Sequence, residues 1–222
     1  MQSGPTKQTG PMMQTGPMMQ TGYVRTYERI APLYDALDLG YEVMWKRRLR
    51  QGTFRGLSGR ILDAGAGTGC NIPFYPAGAR VTAVDASPAM LARAARRADR
   101  LGRAVEFQVL DLAATGFPDG HFDHVAATFV FCVLPEELQV PVLREMRRIL
   151  KPEGTLRILD YTQSERSAVR LWMRVVSPWL SFAFGARYTA GYEAHLPQAG
   201  MGAVDSRFVM GDCVKLVGAR AA

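Results

Sequence analysis

The sequence predicts an α/β domain: a mostly parallel sheet of seven strands with helices on both faces. Three observations predict it. Short aliphatic runs alternate with helical stretches from residue 61 onward, the pattern of repeated βα units. A glycine-rich turn, Asp63-Ala64-Gly65-Ala66-Gly67-Thr68-Gly69, follows the first run. Acids then close three successive strands, and ligands in such sheets sit beyond the carboxyl ends, where the strand order reverses.

Residues 1–22 contain QTGPMM twice, at 8–13 and 14–19, then a truncated copy at 20–22. Glycine and proline in each copy oppose helix and ladder alike, so this stretch reads as a flexible tail. A single domain follows from 23 to 222. Tyr23 to Leu37 and Tyr41 to Gln51 read as short helices. Ile61 to Ala64 and Val81 to Asp85 are the first strands, followed by an alanine- and arginine-rich helix from Ala89 to Leu101. Val105 to Leu110 and Phe122 to Ala127 are the next strands. Glu136 to Leu150 is helical because Leu138, Val142, Leu143, Met146 and Ile149 recur every three or four residues. Lys151-Pro152-Glu153-Gly154 should stop that helix before a strand from Thr155 to Leu159. Ser167 to Phe184 reads as a helix broken at Pro178. Strands from Val204 to Met210 and from Val214 to Ala219 end the chain.

Composition narrows the function. With 48% hydrophobic and 21% charged residues, a folded soluble class fits better than disorder. Cys70, Cys132 and Cys213 are an odd number without C-x-x-C spacing. That argues against a disulfide framework or a thiolate zinc site and for a reducing cytoplasm. His121, His124 and His195 are too scattered for a metal site. A net charge of +7 suggests an acidic environment, nucleic acid or anionic lipid. The most apolar stretch, Leu171 to Ala186, is interrupted by Arg174, Ser177 and Pro178 and is too short to span a bilayer. Two regions could rest on an anionic membrane surface: Trp45 with Lys46, Arg47, Arg48 and Arg50, and the aromatic, arginine-bearing segment from Trp172 to Phe184. Arg93, Arg96, Arg97 and Arg100 share one helix face, read first as solvated, with a lipid-headgroup surface as the alternative.

The glycine turn lets a backbone approach a ligand closely. A dinucleotide fingerprint needs G-x-G-x-x-G, and Cys70 stands where its last glycine belongs. A nicotinamide-dependent dehydrogenase is therefore disfavoured. Asp63 lies just before the turn, Asp85 closes the second strand 20 residues after Gly65, and Asp111 closes the third. A pyrophosphate is served by a helix N-terminus without an adjacent acid. Carboxylates suit a ligand bearing an amino group and a sulfonium. Asp85 is placed to accept ribose hydroxyls, and Asp111 to meet an adenine amino group.

These motifs resemble those of the class I S-adenosylmethionine-dependent methyltransferases. ILDAGAGTG at 61–69 is similar to the family's first motif and VTAVDASPAML at 81–91 to its second. DLAATGFPDGHFD at 111–123 and RILKPEGTLRILDY at 148–161 follow in the usual order. Within the class the chain resembles the ubiquinone/menaquinone C-methyltransferases and the bacterial phosphatidylethanolamine N-methyltransferases. TYERIAPLYD at 26–35 is similar to the helix covering the donor pocket in both, so residues 23–56 are expected to form a cap. GTGCNIPFYPAGARVTAVD at 67–85 resembles the phospholipid branch, and WKRRL at 45–49 the quinone branch.

The resemblance implies a Rossmann-like fold and S-adenosyl-L-methionine as cofactor. It implies Gly65, Gly67, Thr68 and Gly69 at the donor's methionine part, Asp85 at the ribose, Asp111 with Leu112 at the adenine, and Thr128 lining the site. Gly116 stands where proline is usual, and the segment after Tyr161 departs most from the family. The expected reaction is methyl transfer to a lipid-like acceptor. Phosphatidylethanolamine is the first choice, and a quinone-ring carbon or a soluble small molecule the alternative. A donor-binding module without turnover is the competing class, and the intact acids argue against it. Tyr27, Tyr34, Tyr161 and His195 are candidate acceptor-pocket residues, none assigned as a base. The family's amine-methylating DNA enzymes carry Asp/Asn-Pro-Pro-Tyr/Phe where this chain has Thr128-Phe129-Val130-Phe131, so nucleic acid is a disfavoured partner. The expected location is the cytoplasm, peripheral on the inner membrane face.

Overall fold

The computed structural model describes residues 47–162, Leu171 and residues 191–221. The readings that fall on the tail, on Tyr27 and Tyr34, on Trp45 and Lys46, and on Trp172 to Phe184 lie outside these residues.

Seven strands form one sheet in the order β3-β2-β1-β4-β5-β7-β6. They are β1 (Arg60–Ala64), β2 (Arg80–Asp85), β3 (Glu106–Val109), β4 (Phe122–Thr128), β5 (Leu150–Tyr161), β6 (Met201–Met210) and β7 (Val214–Ala221). Four described helices accompany them: α1 (Arg47–Phe54), α2 (Pro88–Arg100), α3 (Glu136–Ile149) and α4 (Tyr192–His195). Only β7 runs against its neighbours, pairing antiparallel with both β5 and β6. The expected mostly parallel seven-stranded sheet is therefore present. Its order reverses between β1 and β4, whose parallel register sets Ala64 beside Ala127.

Alternation along β1 shows how both faces are covered. Ile61 packs with Phe54, Ile72, Val81 and Ala94, whereas Leu62 faces Val125, Val142, Leu143 and Met146. Successive strand side chains point to opposite faces, so one strand anchors both helical layers. α2 starts at Ser87, whose hydroxyl accepts the Met90 N–H at 3.3 Å, with Pro88 in its first turn. α3 carries Glu136 and Glu137 in its first turn and Arg147 and Arg148 in its last, both favourable to the helix dipole.

Several boundaries differ from expectation: α1 runs on to Phe54 and β7 to Ala221, and β5 and β6 differ as well. Lys151-Pro152-Glu153-Gly154 lies inside β5, because the pairing with β4 jumps from Phe122↔Leu150 to His124↔Thr155. The segment bulges out of the ladder, which spares Pro152 a ladder bond. A Cβ on Gly154 would sit 2.9 Å from the Lys151 carbonyl oxygen, so glycine fits the tight return. β6 also begins three residues early, at Met201. It is the sheet's edge, with Val204 and Phe208 exposed.

Candidate functional site

The glycine turn leaves β1 at the reversal point. The N–H groups of Gly65 and Ala66 both donate to the Val84 carbonyl at 2.9 Å, which ties the turn to β2. Gly65, Gly67 and Gly69 have φ of 74°, 55° and 80°, a region that side chains rarely enter. The three glycines answer to different neighbours. A Cβ on Gly65 would meet Val130 at 2.5 Å; one on Gly69 would meet Ile72 at 2.5 Å and the α2 backbone at Ala94 at 3.0 Å. A Cβ on Gly67 would meet nothing within 4 Å. Gly65 and Gly69 thus serve packing, and Gly67 alone opens onto free space. Thr68 is buried, its hydroxyl 3.6 Å from the Cys70 sulfur.

Asp85 steadies this open face. One carboxylate oxygen accepts the Gly67 N–H and the other the Ser87 N–H, each at 2.9 Å. A carboxylate offers about four lone-pair positions, so capacity remains for ligand hydroxyls. Asp111 lies two residues beyond β3, buried, with one oxygen accepting the Ala113 N–H at 2.8 Å. Leu112 beside it is buried in the main core cluster.

Asp63 stands below the turn. It is fully buried, and the Asn71 amide donates to its oxygens at 2.9 and 3.0 Å while the Tyr75 hydroxyl donates at 2.5 Å. Burial pushes its carboxyl up to about 6, against the opposing pull of Tyr75, Asn71 and Arg50. Thr128 belongs to the same network, since Asn71 donates to its hydroxyl oxygen at 2.9 Å. Arg50 completes it. Its guanidinium donates to Asn71 Oδ1 and Thr128 Oγ1, both at 2.8 Å, and lies 5.1 Å from the centre of the Phe129 ring.

Arg50, Asn71 and Tyr75 escaped the sequence reading as functional residues. Asn71 and Tyr75 flank the 3₁₀ turn Ile72–Phe74, and a polar residue just past a glycine turn is their only sequence signal. Arg50 had been grouped with Lys46, Arg47 and Arg48 as a basic membrane cluster. That grouping is corrected: Arg50 is only 7% exposed and points inward, whereas Arg47 and Arg48 are exposed.

The other wall is built after β4. Phe129 is the one described non-glycine residue with positive φ, 57°, and its N–H donates to Leu159 O at 2.8 Å. The next turn is held by Asp160, fully buried on β5. Its Oδ2 accepts the Phe131 and Cys132 N–H groups at 2.7 and 3.3 Å, and its Oδ1 accepts the Tyr161 N–H at 2.7 Å. Burial raises this carboxyl to about 6. Tyr161 packs on Phe129 with ring centres 5.2 Å apart, so this candidate joins the site. His195 does not share these contacts. It ends α4, which packs on α3 and on the 3₁₀ turn Pro197–Ala199, and its Nδ1 is buried without a partner.

The open Gly67 face, flanked by carboxylates at the ends of β2 and β3, fits a donor with ribose hydroxyls and an amino group. Among the described residues, no group of His, Cys, Asp and Glu could hold a metal ion, and no helix is long and apolar enough to cross a membrane.

Comparisons with known proteins agree with this geometry. Residues 61–154 match a family model described as a methyltransferase domain. The chain is similar to the demethylmenaquinone methyltransferase of Thermus thermophilus, at 33% identity over 78% of this chain and 82% of that one. It is also similar to the phosphatidylethanolamine N-methyltransferase of Cereibacter sphaeroides, at 34% identity over 62% of this chain and 66% of that one. A solved structure of a SAM-dependent methyltransferase from Aquifex aeolicus superposes with a TM-score of 0.64 at 23% identity, over 88% of this chain and 98% of that one.

Proposed function

Since this chain belongs to the S-adenosylmethionine-dependent methyltransferases, in a branch whose relatives methylate quinones and lipids, we propose that it methylates a ring carbon of a hydroxylated aromatic acceptor with an apolar tail. The observation that carries this reading is the buried Arg50 guanidinium over Phe129, with Tyr161 packed at a tilt against the same ring. An aromatic acceptor stacks on such a wall. A cation within about 4–6 Å of the acceptor's hydroxyl favours its ionised form, and a phenolate pushes electron density onto the neighbouring ring carbon. That carbon would take the methyl group as the methyl–sulfur bond breaks and its electron pair returns to sulfur, and the ring carbon's own proton would then pass to water.

On the protein's side, Asp85 accepts the donor's ribose hydroxyls, Asp111 meets its adenine amino group, and the Gly67 face admits its methionine part. S-adenosylmethionine, when bound, supplies a methyl group already activated by its sulfonium, so alignment matters more than acid chemistry. Arg50 reaches Thr128 and Asn71 directly and Asp63 through Asn71. It thereby links the floor of the donor site to the acceptor wall.

Phosphatidylethanolamine, the first choice from sequence, is the second reading, supported by the resemblance to the Cereibacter enzyme. Its methylated amine gains positive charge, which the same Arg50 repels. Isotope-labelled donor, offered with a demethylated naphthoquinol or with phosphatidylethanolamine in detergent, tests the choice by mass spectrometry. The expected result is label on the quinol ring, with Arg50→Gln losing turnover more than donor affinity. Label on the ethanolamine nitrogen and none on the ring would overturn it.

A further inference from the structure

One turn along α2 from the Gly69–Ala94 contact, a cavity of about 450 Å³ opens on the molecular surface. Pro73, Phe74 and Leu101 give it apolar walls, and Arg47, Arg97 and Arg100 form its cationic rim. Arg97 is fixed there by donating to the Cys70 sulfur at 2.9 Å. A second cavity of about 440 Å³ lies along the same helix, between Arg93, Arg96 and Arg100, with Asp99 the one acid among its described lining residues. Arg100 lines both, so the two form a continuous band whose described lining residues include five arginines and one aspartate.

The band is costly for an isolated helix. Arg96 and Arg100 are a like-charge pair four residues apart, which weakens an isolated helix. Among the described residues, Arg47, Arg96 and Arg100 make no ion pair. At the end of the band Leu101 is 46% exposed, a large apolar side chain beside fixed positive charge. Arginine forks match phosphate oxygens two at a time. Exposed leucine beside a phosphate-binding rim matches a headgroup boundary, where phosphate lies just above acyl chain. Nucleic acid presents phosphate without that apolar layer.

We propose that this face of α2 docks the protein on an anionic membrane, with a phospholipid phosphate between Arg47, Arg97 and Arg100 and Leu101 entering the acyl boundary. The docking face stands apart from the acceptor reading, because none of its residues is assigned to the acceptor wall. The sequence reading puts a solvated face first for this helix with a lipid-headgroup surface as its alternative, and it already counts Arg47 among the cations able to rest on a membrane.

Flotation of the full chain with phosphatidylcholine vesicles, with and without phosphatidylglycerol, tests the proposal. The protein should float only with the anionic vesicles and release in high salt. Arg96→Glu with Arg100→Glu should cut the bound fraction by about tenfold or more, given the attraction of each basic residue to such a surface. Arg60→Glu with Arg220→Glu, equal in charge change but on the sheet, should change binding less than about twofold on the same grounds. Leu101→Gln should weaken binding with little change in salt dependence. Affinity for S-adenosylhomocysteine, read by calorimetry, should hold in every variant, which separates lost docking from lost fold. Failure of the wild type to float with anionic vesicles would overturn the assignment. So would equal losses in the two double variants, or tighter binding of the same face to single-stranded RNA than to vesicles.

Discussion

The two walls of the site hold unusual backbone by different means. On the β1 side the chain turns through positive φ at Gly65, Gly67 and Gly69, where the residue type itself removes the steric cost. On the β4 side the chain turns through positive φ at Phe129, where it does not. Here a buried carboxylate on the next strand collects the N–H groups of Phe131 and Cys132 and sets the loop from outside. A turn can be written into its own residues or imposed by a neighbour. Only the first kind announces itself in the sequence, and the two should fail differently when mutated.

The sharpest contrast comes from Asp160→Ala. It orphans three N–H groups beside a core, and should cost about 4 kcal/mol, because buried groups that lose a charged acceptor bear the full desolvation penalty. Thermal unfolding should show a large fall in Tm. A small shift would mean that the loop holds itself and the comparison is misdrawn.

Gly69→Ala comes next. The new Cβ would press on Ile72 and the α2 backbone at a φ of 80°. Overpacking and left-handed strain together should cost about 3 kcal/mol. Gly67→Ala has the same φ problem but open space, so its stability cost should be only about 1 kcal/mol. Its donor affinity, measured with S-adenosylhomocysteine, should nonetheless fall more than that of any packing glycine corrected for folding. Similar losses for both variants would erase the distinction between packing and ligand-facing glycines.

Asp85→Asn tests the hinge between the turn and its ligand. Two backbone N–H groups lose a charged acceptor, and if Asp85 meets the ribose as proposed, donor affinity should drop by about tenfold, the equivalent of one charge-assisted hydrogen bond. Unchanged affinity would remove Asp85 from the donor site.

The smallest effect is a pH slope. Asp63 and Asp160 carry folded values of about 6, raised from 3.8 by burial. The folded state therefore holds these protons more tightly than the unfolded chain. Their stabilising contribution is full below about pH 4, is lost as pH rises towards about 6, and is flat above. Tm should accordingly rise as pH is lowered from neutrality towards 5, and Asp63→Asn should flatten that rise. A Tm that falls over the same interval in the wild type would mean that neither carboxyl is protonated there.

Most of the sheet was legible because its signals are local. Aliphatic runs of four to six residues, the alanine- and arginine-rich stretch from Ala89, and three glycines at alternate positions act through neighbours in the chain. The family of the protein and the position of its glycine turn follow from those stretches alone. Where competition between local rules arose, the reading failed. Lys151-Pro152-Glu153-Gly154 carries turn residues, and nothing nearby says that β4 will hold it inside a strand as a bulge.

Tertiary structure decided the rest, because charge and burial are properties of the assembled interior. Arg50 reads as one more cation in a basic run, yet it bonds Thr128, 78 residues away. Asp160 follows the expected fifth strand with nothing to single it out, yet it holds a loop 29 residues upstream. Burying either group is tolerable only when distant partners arrive to compensate it. The sequence therefore determined which turn could meet a donor. The fold determined that a buried cation, Arg50, stands against Phe129 and Thr128, since only packing brings α1, β4 and β5 to one place.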